Sequence, residues 1–139
     1  MATTTASLTL SSGDISSDAL SISITQTLYK DGTTIGLDQT TGLNKIILTA
    51  TTNIVLLDSS AAGVGKAAKV YIANKSTDAS EFVTITINAQ IVGRLYAGDW
   101  MFIPADFHDA AGEIAITANG GTNKICYALF HEGITLVTT

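Results

Sequence analysis

Two short segments of the chain bring together residue types that do chemistry in other proteins. Asp106-Phe107-His108-Asp109 places two carboxylates and an imidazole within four residues, a set that holds a metal ion when a distant ligand completes it. Gly65-Lys66 matches the end of a phosphate-binding loop, but Ser60 and Ala67 stand where that loop needs a glycine and a magnesium-binding hydroxyl. We therefore interpret the first segment as an acidic loop after Pro104 and expect no nucleotide at the second.

The cysteine and the two histidines do not form a recognisable catalytic set. Cys126 alternates with Ala128 and Phe130, which predicts a buried, inert thiol. His131 continues the opposite face of the same strand, which predicts a residue at the strand end. His108 and His131 are too few for a cupin-type metal site, and the chain has no Gly-x-Ser-x-Gly motif. We expect no enzymatic activity and no cofactor.

Two further patterns point to sugar chemistry. Asn74-Lys75-Ser76 is a glycosylation sequon, which is meaningful only in a secreted eukaryotic protein. Trp100 and the tyrosines have the character of a sugar-binding platform, but at 6% of the chain the aromatic residues are only enough for a core. We therefore favour a role in the core for these residues and keep a lectin-like glycan-binding module as an alternative.

The composition limits the kinds of partner that we expect the chain to bind. The chain has 139 residues, the usual size of one domain, and its single cysteine cannot close an intrachain disulfide. Serine and threonine account for 32 residues and charged residues for 14%, which is typical of strand faces that a neighbour buries easily. The net charge is −5 and the seven basic residues occur singly. We expect neither nucleic acid nor membrane as a partner.

We interpret residues 1–19 as a Ser/Thr-rich N-terminal arm in front of a single β-sandwich domain over residues 20–139. The arm has no basic residue and no continuous apolar stretch, so we expect no signal peptide and synthesis in the host cytoplasm. Two interpretations remain open. The arm is a loose tail that becomes the first strand near Leu8 or Leu10, or it is an extended segment that lies on another subunit.

Short strands separated by turns account for the rest of the chain. From Leu20 to Tyr29 apolar residues alternate with hydroxyls, which predicts a strand, and Asp31-Gly32 predicts a tight turn after which Thr33 to Leu37 fold back. Further strands are predicted over 45–50, 53–57, 70–74, 82–88, 100–104, 113–118, 124–132 and 134–138. The spacing predicts an all-β, antiparallel β-sandwich, jelly-roll-like, of about nine or ten short strands. Lys69 to Glu132 is expected to form one face of it.

A resemblance to a family rests on the second half of the chain. It is carried by Val70-Tyr71-Ile72-Ala73-Asn74-Lys75, Val83-Thr84-Ile85-Thr86-Ile87, Gly93-Arg94-Leu95 with Ala97-Gly98-Asp99, Phe102-Ile103-Pro104, and Lys124-Ile125-Cys126-Tyr127-Ala128-Leu129 with Glu132. This pattern resembles small virion proteins of tailed bacteriophages of the marine and cyanobacterial type. The resemblance implies a β-sandwich or jelly-roll module that decorates a capsid or forms part of a tail or neck.

The resemblance and the composition together give a functional expectation. We expect a capsid decoration (cement) protein bound to the outer shell of the virion, with the major capsid protein or other virion proteins as partners. A tail, neck or fibre-knob protein is the first alternative. Apolar residues on both faces of 45–50 and 53–57 predict a homo-oligomer, taken as a trimer. The candidate subunit contacts are Leu8, Leu10, Ile47, Val55, Leu57, Ile134, Leu136 and Val137.

Overall fold

The computed structural model describes residues 3–13, 20–49, 51, 53–58, 66–104 and 112–132. These residues contain strands, turns and loops and no helix. The strands are β1 (Thr4–Ser12), β2 (Leu20–Leu28), β3 (Gln39–Thr40), β4 (Asn44–Leu48), β5 (Ile54–Asp58), β6 (Ala68–Asn74), β7 (Phe82–Ile87), β8 (Gln90–Tyr96), β9 (Trp100–Pro104), β10 (Glu113–Ala118) and β11 (Asn123–His131). All of them pair antiparallel, which confirms the predicted fold class.

Strands β4 to β11 form one long hairpin that is wrapped over on itself. β7 pairs with β8, β6 with β9, β5 with β10 and β4 with β11, so that each pair encloses the one before it. Pairing of β11 with β6 and of β10 with β7 then divides the strands into two sheets. Sheet I has the order β4-β11-β6-β9, with β3 also on β11, and sheet II has the order β5-β10-β7-β8. This nested order is that of a jelly roll.

The two sheets pack face to face around an aliphatic core. Val70 and Ile72 of sheet I and Val83 and Ile85 of sheet II are at most 1% exposed. They belong to one cluster because alternate residues of each strand point between the sheets. Burying each side chain of this size stabilises the fold by roughly 1.5–3 kcal/mol. The alternation of apolar residues along each strand therefore identifies the side chains of the core.

Two details of the sequence prediction are wrong. Residues 69–132 do not form one face, because β6, β9 and β11 lie in sheet I whereas β7, β8 and β10 lie in sheet II. Strand β8 was not predicted at all. Ile85 pairs with Gly93 and Thr86 with Ile91, so that Val92 is an extra residue in a β-bulge. A bulge shifts the alternation of side chains by one residue and hides the strand from a search for period two.

Strands β1 and β2 form a separate two-stranded N-terminal hairpin. Leu8 pairs with Ile24 and Leu10 with Ile22, so the aliphatic residues share one side. The other side consists entirely of hydroxyl residues, namely Thr5, Ser7, Thr9, Ser11, Ser21, Ser23, Thr25 and Thr27. β1 begins at Thr4, earlier than the predicted start near Leu8 or Leu10. Residues 14–19, which join the two strands, lie outside the described part of the chain.

The base of the N-terminal hairpin is fixed to the sandwich by polar contacts. The Thr4 hydroxyl donates to the carbonyl of the fully buried Leu37 at 2.9 Å. The Leu37 amide donates to the Leu28 carbonyl at 2.8 Å, and Gly32 has a φ of +68°. This confirms the predicted turn at Asp31-Gly32. The Asp31 amide donates to Glu132 Oε2 at 2.7 Å, which ties the turn to the end of β11.

Candidate functional site

The outer side of sheet I is a shallow apolar trough. One row of neighbouring residues crosses four strands in the order Lys45, Cys126, Ala73 and Trp100. The two central side chains are small and are 7% and 1% exposed, respectively, whereas Trp100 is 52% exposed. Larger side chains therefore stand at both edges of the sheet with a low floor between them. Two grooves lie along this trough, one toward each edge.

The first groove, here called the aromatic groove, lies between sheet I and the N-terminal hairpin. It has a volume of about 370 Å³ and is lined by Ala6, Ser7, Leu8, Ile24 and Gln26 of the hairpin and by Tyr71, Trp100 and Phe102 of sheet I. Tyr71 pairs with Phe102 across β6 and β9, which puts both rings on the outer side. Phe102 also makes an edge contact with Phe130, with ring centroids 6.4 Å apart. The hairpin therefore faces an aromatic part of the sheet across this groove.

The second groove, here called the lysine groove, lies at the β4 edge of sheet I. It has a volume of about 450 Å³ and is lined by Leu43, Lys45, Ile46, Ile47, Lys75, Lys124, Ile125 and Cys126. Leu43 and Ile47 are 62% and 61% exposed, and exposed apolar side chains that share one groove indicate a surface for interaction. The groove gathers three of the chain's seven basic residues, and no acidic residue is among its described lining. The surface is thus both aliphatic and positively charged.

The predicted contact residues are distributed over three environments. Leu10, Ile47 and Val55 are 44%, 61% and 46% exposed, so their side chains are available to a neighbour. Leu8 is half-buried and lines the aromatic groove. Leu57 is in the core at 7% exposure, because its side chain points between the sheets beside Ile114. The other predicted contacts, Ile134, Leu136 and Val137, lie outside the described residues.

Cys126 and His131 occupy the opposite sides of β11 that their alternation predicts. Cys126 is a free thiol, buried on the outer side of sheet I. His131 is 7% exposed on the inner side, and its Nδ1 lies 2.7 Å from the Glu132 carbonyl oxygen. The Glu132 carboxylate contacts the Asp31 amide and lies 3.7 Å from Lys66 Nζ. These contacts link chain segments and leave His131 as a buried residue at the end of its strand.

Asn74 of the sequon is a buried structural residue. Its side chain is 0% exposed, and Nδ2 donates to the Leu95 carbonyl at 3.0 Å. Its Oδ1 accepts from the Ser76 amide at 3.0 Å, and Nδ2 lies 3.4 Å from Oδ1 of the equally buried Asn123. The Ser76 hydroxyl in turn accepts from the Lys124 amide. This network holds three turns together at one end of the sandwich, and it leaves no access for attachment of a glycan.

The outer side of sheet II carries a smaller aromatic cluster. The Arg94 guanidinium lies 4.5 Å from the centre of the Phe82 ring, within the range of a cation–π contact. Phe82 also packs against Tyr96, with ring centroids 5.3 Å apart. Tyr96 is 45% exposed. The Arg94 side chain is thereby held against the outer side of sheet II.

The titratable groups of the described surface stabilise turns. A hydrogen bond from Lys30, with Nζ 3.0 Å from Asp38 Oδ2, holds the pKa of Asp38 below its ordinary value of 3.8. The Ser80 hydroxyl and amide lower the pKa of Asp78 in the same way. Within the described ranges, no three His, Cys, Asp or Glu residues stand close enough to hold a metal ion. The Asp106-Phe107-His108-Asp109 and Gly63-Val64-Gly65 segments lie outside those ranges.

Comparisons with known proteins add no family. No protein-family model matches this chain. A search of curated proteins also finds no match. No helix in the described part of the chain is long and apolar enough to cross a membrane.

Sequence reasoning missed the lysine groove. Lys45, Lys75 and Lys124 are far apart along the chain and meet only because β4 pairs with β11 and the Lys75 amide donates to the Lys124 carbonyl at 2.7 Å. The one local signal is the alternation of Leu43, Lys45 and Ile47, which puts a lysine between two exposed aliphatic residues. That signal does not identify the partner strand.

Proposed function

We propose that this chain is a structural protein of the virion of a tailed bacteriophage, and that it decorates the outer shell of the capsid as a homo-oligomer, taken as a trimer. Its role is to bind neighbours and not to catalyse a reaction. The observation that supports this proposal best is the exposed apolar outer side of sheet I. Large exposed apolar patches on small proteins mark interfaces.

The physical argument for an assembly role is the amount of aliphatic surface that is left uncovered. Leu20, Leu43 and Ile47 are all more than half exposed. Burying such surface stabilises a contact by roughly 25 cal/mol per Å², and specific contacts bury about 800 Å² on each partner. The outer sides of the two sheets of a jelly roll offer such areas to identical neighbours in a lattice. A tail, neck or fibre-knob position uses the same surfaces and is the alternative within this class.

A lectin-like role is the second candidate, and the aromatic groove favours it. Trp100 is 52% exposed beside Tyr71, and Gln26 stands on the facing wall. An exposed indole ring with polar groups opposite is a surface on which a sugar ring stacks. A Trp100→Ala variant that loses binding on a glycan array would support this candidate, with Tyr96→Ala on sheet II as the matched control.

The proposal is tested by locating the protein on the virion. Particles are purified from a phage lysate, and antibodies against the chain are detected by gold labelling in electron microscopy. We expect labels over the capsid in many copies, and labels at the tail or neck for the alternative. Purified protein is then added to capsids that lack it, and we expect saturable binding.

The binding assay needs variants that separate specific attachment from adhesion. Ile47→Asp on sheet I is expected to weaken binding at least about tenfold, whereas Ile91→Asp, an exposed change on sheet II, leaves it close to wild type. Purified particles that carry no copy of the protein would contradict the proposal.

A further inference from the structure

We propose that the lysine groove of one subunit binds the distal half of the N-terminal hairpin of a second copy of this chain. The distal half is defined here by Leu10, Leu20 and Ile22. The contact is head-to-tail, because one copy offers its groove and the other its hairpin. This inference deepens the proposed function and rests on it for the role of the assembled state.

The hairpin has an aliphatic side that its own subunit covers only in part. Ala6, Leu8, Ile24 and Gln26 line the aromatic groove against the sheet of the same chain. The distal residues line neither described groove; Leu10 and Leu20 are 44% and 54% exposed, and Ile22 is half-buried. A two-stranded hairpin by itself is marginally stable in water. Its distal half therefore needs a surface to pack on.

The lysine groove matches this segment in shape and polarity. Leu43 and Ile47 form its exposed aliphatic walls, and the nearly buried Cys126 forms its floor. Among the described residues, none of those before Leu43 lines the groove, so the chain's own hairpin does not fill it. An aliphatic strand pair that enters it covers exposed apolar surface on both partners at once.

Charge also favours this pairing. Residues 1–29 contain no lysine or arginine, and Asp14 and Asp18 lie in the sequence that joins the two hairpin strands. The groove carries Lys45, Lys75 and Lys124. Opposite charges on the two sides speed encounter and select the partner surface. The chain's net charge of −5 makes two copies repel each other, and a contact that uses the basic groove reduces this repulsion.

The symmetry of the assembly follows from the two different surfaces. A contact between unlike patches repeats from copy to copy and closes into a ring when the rotation allows it. A ring of three satisfies the predicted trimer, with each hairpin in the next copy's groove.

Sedimentation velocity on the purified full chain tests this inference without any particle. Leu20→Asp damages the hairpin, Ile47→Asp damages the groove, and Ile91→Asp is the control because that residue is 75% exposed on sheet II. We expect wild type and the control to assemble at tens of micromolar, and each of the two interface variants to remain monomeric. Circular dichroism melts establish that every variant is folded. Should either aspartate variant unfold, Leu10→Asp or the pair Lys45→Glu and Lys124→Glu replaces it.

Mixing the two monomeric variants gives the decisive result. The intact hairpin of Ile47→Asp fits the intact groove of Leu20→Asp, so an equimolar mixture is expected to form a dimer with one copy of each. A mixture that stays monomeric overturns the head-to-tail contact. An Ile47→Asp variant that assembles by itself to the same extent as wild type also overturns it. Wild type that is monomeric throughout the concentration range also overturns it. The two proposals can fail separately. If the variants assemble in this pattern but the protein is absent from virions, the head-to-tail contact is supported and the proposed function is refuted.

Discussion

At the scale of single residues, the most demanding position is Asn74. A buried amide is stabilising only when its donors and acceptors are all partnered, because an unpaired polar group loses its hydration without replacement. Asn74 meets this condition through Leu95, Ser76 and Asn123. No side chain that is buried in the described residues has an unpartnered nitrogen or oxygen. The asparagine at the end of β6 is thus an element of the fold.

Replacing Asn74 by alanine is therefore expected to cost about 2–3 kcal/mol of unfolding free energy. The substitution removes the acceptor of the buried Ser76 amide and the side-chain donor to the Leu95 carbonyl. Urea denaturation followed by tryptophan fluorescence measures the loss. Asn53→Ala is the matched control, since the Asn53 amide oxygen accepts a hydrogen bond from Thr117 at an exposed site. We expect its cost to stay under about 0.5 kcal/mol, and equal losses in the two variants would contradict the role given to Asn74.

Elements could be predicted from the sequence where local pattern decides them. Leu20 to Leu28, Phe82 to Ile87 and Glu113 to Ala118 alternate regularly and were found close to their true bounds. Strand β8 was not predicted, because the β-bulge at Val92 interrupts its alternation. The assignment of strands to sheets was also wrong, because pairing such as that of β4 with β11 joins residues that are distant in sequence. Period two tells which side of a strand is buried and says nothing about its neighbour.

The turn between β7 and β8 stores backbone strain. Asn88 and Ala89 have φ values of +52° and +66°, which suit the two central residues of a type I′ turn. Asn tolerates this conformation, but for alanine it costs about 1–2 kcal/mol. The turn has only two residues, since Ile87 pairs with Gln90, and turns of this length need positive φ values to match the twist of the strands.

Ala89→Gly is accordingly expected to stabilise the protein by about 0.5–1 kcal/mol, after allowance for the extra freedom of glycine in the unfolded chain. The measurement is again the midpoint of urea unfolding. Ala79→Gly, at an exposed turn residue with negative φ, serves as the control and should lose about 0.5 kcal/mol. A loss at both positions would show that the turn carries no strain.

At the scale of the whole molecule, the protein has two parts of unequal stability. The jelly roll has a continuous core, whereas the N-terminal hairpin packs mainly on itself and on the edge of sheet I. Regions with few buried apolar contacts open more often than a core does. The site was the hardest feature to predict, because the lysine groove exists only once distant segments have paired.

Hydrogen exchange is expected to separate these two parts. In the monomeric Ile47→Asp variant, amides of β1 and β2 should exchange at least about tenfold faster than those of β6 and β11. In assembled wild type the hairpin amides should become protected while those of β6 stay unchanged. Hairpin amides as slow as β6 amides in the monomer would mean that the hairpin is already part of the core.

The nesting of β4 to β11 also has a consequence for how the chain emerges from the ribosome. The central strands β7 and β8 are synthesised one after the other and can pair at once. Leu48 of β4, in contrast, pairs with Asn123, which is synthesised about 75 residues later. At roughly 5–20 residues per second that delay lasts several seconds. During this time β4 presents Ile46 and Ile47 without its partner strand. A lysine between Asn44 and Ile46 places a charge in this waiting segment, and charged residues on exposed strands oppose edge-to-edge aggregation. Lys45 thus opposes aggregation of the nascent chain before the lysine groove has formed.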